Sequence, residues 1–142
     1  MTTYDKFDIF ISKFINEDVS MDFWYDFANI ESINMINKFT KNDWSKLLKE
    51  VNNKNYLWKI RLLESFDSSN WKEKKIIILE IIKSCDNDEL LLIIIDYLRS
   101  IKESIIHLDD PNFINKLTIL SNKSEVNRSI INNFLKKSEN IL

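Results

Sequence analysis

No glycine occurs anywhere in this chain of 142 residues, and Pro111 is its one proline. That absence constrains the fold more than any motif does. Phosphate-cradling loops, dinucleotide-binding turns and nucleophile elbows need a residue that reaches positive φ or lets a ligand approach bare backbone. Tight hairpins favour the same residue. The single cysteine, Cys85, and the single histidine, His107, also exclude an intramolecular disulfide framework and a Cys/His zinc site. Apolar residues make up 44% of the chain and charged residues 30%, enough to bury a real core. We therefore expect a helical protein that is not an enzyme and holds no cofactor or metal.

Apolar spacing is helical from end to end. Tyr4, Phe7, Phe10, Ile11 and Phe14 form one stripe on an opening helix. A second helix is predicted over about 20–39, with Phe23, Phe27, Ile30, Ile33 and Ile36 inward and a weak point near Asn29 or Ile30. Thr40-Lys-Asn-Asp43 sets a capping hydroxyl three residues before an acid, and Trp44, Leu47, Leu48 and Val51 follow as a stripe. Helices are expected next over about 54–66 (Leu57, Ile60, Leu63, Phe66), 71–85 (Ile78, Leu79, Ile81, Ile82) and 88–106 (Leu91, Leu92, Ile95, Leu98, Ile101, Ile105). Asp109-Asp110-Pro111 starts another, because proline loses nothing in a first turn, and Ser124 caps the last.

Ile76–Ile82 and Leu90–Ile95 have the β-branched composition of buried strands. Both nevertheless lie inside longer segments whose polar residues fall at helical spacing. The fold class is therefore all-α. No linker divides the chain, so residues 1–142 read as one domain. Helix starts near 41 and 55, 71 and 88, and 111 and 125 suggest antiparallel helical hairpins in a HEAT-like stack, with an irregular helical bundle as the alternative. The start Met1-Thr-Thr-Tyr-Asp5 carries no secretory pattern, and the longest aliphatic run spans only Leu90–Ile95. A cytoplasmic location without membrane contact is the expectation.

Catalytic signals do not assemble. His107 falls at a helix end where its cation would suit the carbonyls, and Cys85 reads as a small apolar filler. Asp86-Asn-Asp88-Glu89 resembles the start of a calcium loop, but Leu91 and Tyr97 stand where such a loop needs glycine and glutamate. Binding signals are stronger. Asp22-Phe-Trp24-Tyr25-Asp26-Phe packs aromatics too densely for one helix face, so Trp24 or Tyr25 is expected outside, flanked by acids. Trp71 opens a helix directly after a polar turn.

Charge is segregated: residues 1–35 are net −5, 36–83 net +5, 84–114 net −5 and 115–142 net +3. Acidic blocks of this kind suit a basic partner. The candidate partner-binding residues are accordingly Asp22, Trp24, Tyr25, Asp26, Trp71, Asp86, Asp88, Glu89, Asp109 and Asp110. The basic block holds six acids among its eleven bases, and direct nucleic-acid binding is not expected.

Four stretches carry a family resemblance: Phe39-Thr-Lys-Asn-Asp-Trp44-Ser-Lys-Leu-Leu48, Tyr56-Leu-Trp58-Lys-Ile-Arg61-Leu-Leu63, Lys75–Ser84 and Asp88–Leu98. Together they resemble the small helical immunity proteins encoded beside bacterial polymorphic toxins, including contact-dependent growth inhibition systems. The resemblance spans roughly residues 39–100 and leaves 1–38 unmatched. It implies a HEAT-like inhibitor that binds a cognate toxin domain, often a nuclease with a basic groove, and covers its active site or substrate path. A HEAT-like scaffold or regulatory protein binding a peptide or RNA is the rival reading.

Overall fold

The computed structural model describes residues 1–15, 21–101 and 110–141, and side chains as far as 136. All regular structure among the described residues is helical, as the spacing predicts. The chain forms two compact units, Met1–Glu80 and Ile81–Leu142.

In the first unit, α1 (Thr3–Ser12) is the hub, packing against helices that come much later in the chain. Its start is a capping box that the sequence reading overlooked: Thr2 and Asp5 bond each other's backbone amides at 3.1 Å. Its inner face buries Tyr4, Phe7 and Ile11. Its polar edge is tied down by charge. Asp5 pairs with Lys46 at 2.6 Å, and Asp8 takes both the Lys54 ammonium at 3.0 Å and the Trp58 indole N–H at 2.9 Å. The opening helix thus organises the unit.

Residues 21–37 run as a three-residue turn α2 (Met21–Phe23), a π turn (Trp24–Ala28) and α3 (Asn29–Asn37). The predicted weak point near Asn29 is the end of that π turn. Helix α4 (Lys41–Glu50) starts on the predicted Thr40–Asp43 box. Asp43 is buried because it has a second task, accepting the Tyr4 amide at 3.0 Å through its other oxygen. Helix α5 (Tyr56–Glu64) starts on Asn55, and α6 (Trp71–Ser84) begins in this unit. Before α6, Asn70 adopts φ 52°. In a chain without glycine, asparagine is the residue that tolerates this conformation best.

The same turn holds a buried cation. Lys74 is fully enclosed, its ammonium 2.7 Å from Asp67 Oδ1 and 3.2 Å from the Asp67 carbonyl, above the Phe66 ring. Burial alone pushes the Asp67 carboxyl up, but hydrogen bonds from Lys74, Ser69 and Asn37 outweigh it and hold the group well below its ordinary value. Leu48 and Leu57, expected inside, lie at the surface.

The second unit contains α7 (Asp88–Arg99), α8 (Pro111–Ser121) and α9 (Glu125–Ile141). Asn87 caps α7, Asp110 caps α8 ahead of Pro111, and the Ser124 hydroxyl accepts the Asn127 amide at 3.0 Å. Helices α8 and α9 pair, with Phe113 edge-on to Phe134 at 6.3 Å. In α7 the buried stripe is Leu90, Leu91, Ile94, Ile95 and Leu98, so the predicted Leu92 falls to its flank. The Lys116 ammonium caps the end of α6 by donating to the Ile82 and Cys85 carbonyls at 2.5 and 2.6 Å. No helix among the described residues is long and apolar enough to cross a membrane.

Candidate partner-binding face

The segment 21–31 inverts the expected orientation. Trp24, offered as an outside residue, is fully buried, while Phe23 and Phe27, expected inside, are 51% and 66% exposed. Ile30 is also exposed, and Tyr25 is half-exposed as anticipated. The reason lies in the column that faces the core: Trp24, Ala28, Ser32 and Ile36, each four residues apart and all buried. Residues four apart overshoot a full turn by about 40° in an α-helix, and the wider π turn from Trp24 to Ala28 falls short of one, which offsets part of that drift along the column. Ala28 and Ser32 are small enough for close approach; the Ser32 and Ser65 hydroxyls are 2.7 Å apart.

The segment is mounted from below by one side chain. Arg61 donates to the Phe14 carbonyl at 2.9 Å and to Glu64 at 2.8 Å, and its second terminal nitrogen reaches the Met21 sulfur at 3.1 Å. Its guanidinium carbon lies 4.9 Å from the centre of the Trp24 ring. Glu64 also accepts the Tyr25 hydroxyl at 2.5 Å, which, with partial burial, pushes the phenol above its ordinary value. Trp24 Nε1 is buried with no hydrogen-bond partner among the described residues.

Above this mount the rings of Phe14, Phe23 and Phe27 follow one another at 6.0 and 5.7 Å, passing from core to solvent. Asp22, Asp26 and Glu31 stand beside them, and no base of the described residues pairs with any of the three. An exposed apolar helix face with acids at its margin is what results.

The other candidate residues part company with this face. Asp88 pairs with Lys123 at 2.8 Å, and Asp110 is engaged as the α8 cap, accepting from Phe113. Asp86 and Glu89 are exposed, and Trp71 is half-buried at the start of α6. Asp109 and His107 lie outside the described residues. A cavity of about 220 Å³ in the second unit, between the Asp86–Asp88 turn and α8, has Cys85 and Leu91 in its walls, with Lys116 and Lys123 already committed to neighbours. Sequence reasoning missed Met21, Phe23, Phe27, Ile30 and Glu31 as surface residues. The fourfold spacing of Trp24, Ala28, Ser32 and Ile36 was the available signal. Compared with family models, curated proteins and solved structures, the chain matches none.

Proposed function

We propose that this chain is an immunity-type inhibitor that neutralises a cognate toxin domain, and that the face over residues 21–31 meets that toxin. The observation carrying the reading is the exposed Phe23–Phe27 pair, joined by Ile30 and bordered by Asp22, Asp26 and Glu31, which pair with no base of the described residues. Large apolar groups stay exposed side by side when a partner covers them. Aromatic anchors supply most of the energy of such contacts, and a charged rim sets encounter and choice of partner. The acids select a basic protein surface such as a nuclease groove, and they disfavour a second copy, which would bring the same charges together. The π turn supports the reading too, since such turns gather at functional sites.

The test is co-expression with the toxin domain encoded beside this chain. A stable complex that abolishes toxin activity is expected, with Phe27→Ala and Asp26→Lys each reducing protection. Full protection by the variant carrying both changes would contradict the assignment of this face. Absence of any complex would contradict the inhibitor reading itself.

A further inference from the structure

We infer that the outer side of the 21–31 segment is a seat for an arginine side chain presented by the partner protein; the inference rests on the partner-binding reading above. The pattern for it is already present on the inner side of the same segment. There a guanidinium, Arg61, lies against an aromatic ring, Trp24, and is neutralised by a carboxylate, Glu64. The outer side repeats two of those three components. Phe23 and Phe27 offer rings inclined at 37° with more than half of each residue open to solvent. Asp22 and Asp26 offer carboxylates one helical step around from them. No cation of the described residues lies over either phenylalanine, so both ring faces are open to a partner.

Asp22 and Asp26 are four residues apart across the junction of α2 and the π turn, and both are exposed. A cation on this side is attracted both by the two carboxylates and by the faces of the rings. Guanidinium fits better than ammonium because it is planar, stacks on aromatic faces and sheds water more readily.

The probe is a short synthetic peptide of alternating arginine and leucine, with a citrulline-for-arginine copy as its neutral isostere. Both are titrated into the full-length protein while backbone amide shifts are followed. The arginine peptide should perturb residues 21–31 first and bind at least tenfold more tightly than the citrulline copy. Replacing Asp22 and Asp26 by Asn should remove that preference. The double variant Phe23→Leu/Phe27→Leu keeps the apolar area but loses the ring faces, and should weaken arginine-peptide binding about three- to tenfold. Circular dichroism confirms that each variant remains folded. Equal affinity for the two peptides, or perturbation centred elsewhere, would overturn the seat. The two levels separate cleanly against the toxin domain. If Phe→Leu changes leave toxin affinity intact while Phe27→Ala and Asp26→Lys lower it, the face stands and the arginine seat fails. If the arginine peptide binds at 21–31 but no change there affects toxin binding, the seat stands and the functional reading fails.

Discussion

Lys74 and Asp67 are unequal partners. The lysine is wholly enclosed, whereas the Asp67 side chain keeps 39% of its exposure and further hydrogen bonds from Asn37 and Ser69. Removing the carboxylate strands an ammonium in the core; removing the ammonium leaves a carboxylate that water can reach. Asp67→Ala should therefore cost about 3–5 kcal/mol, and Lys74→Met distinctly less, in urea unfolding. Equal losses would show that the pair is not asymmetric. Asp5 adds a pH signature. Hydrogen bonds from the Lys46 ammonium and from Thr2 lower its carboxyl from 3.8 to about 2. A carboxyl lowered on folding contributes stability above its unfolded value and loses it as pH falls through the folded one. The thermal midpoint should accordingly drop between roughly pH 4 and 2, and Asp5→Asn should flatten that part of the profile. Asp67, likewise held below its ordinary value, adds to the loss of stability in acid.

Among the elements, caps and starts were legible in the sequence because they depend on two or three adjacent residues. Thr40 with Asp43, Asp110 before Pro111, and Ser124 all act as their local pattern dictates. The inversion at 21–31 was legible only in the spacing of Trp24, Ala28, Ser32 and Ile36, and an apolar count overrides that signal by favouring the face with Phe23, Phe27 and Ile30 over one with Ala28 and Ser32. Steric access decided it instead: small residues let α3 approach its neighbours, and the π turn brought Trp24 into the same column. This orientation has a direct test in stability. Trp24→Ala should cost about 3–5 kcal/mol, while Phe27→Ala should stay within about 0.5 kcal/mol of the parent. Reversed values would restore the orientation that periodicity alone suggests. The second unit shows a milder version of the same limit, with Leu90 and Ile94 taking buried places and Leu92 left on the flank.

For the whole molecule, the formal charge of −2 conceals how differently its acids are used. Those of α1 are spent on Lys46 and Lys54, Asp88 on Lys123, and Asp110 on a helix cap. Sequence blocks of net charge could not reveal this, since pairing partners come from distant positions in the chain. Among the described residues, the acids of the 21–31 face have no basic partner and stand beside exposed aromatic surface. Association kinetics with the proposed partner, a toxin domain with a basic surface, at low and high salt, test the partner-binding reading of this face most directly. The double variant Asp22→Asn/Asp26→Asn should slow association and flatten its salt dependence, and Phe27→Ala should raise the dissociation rate about tenfold or more. Rates and salt dependence unchanged in both variants, with the fold intact by circular dichroism, would contradict it.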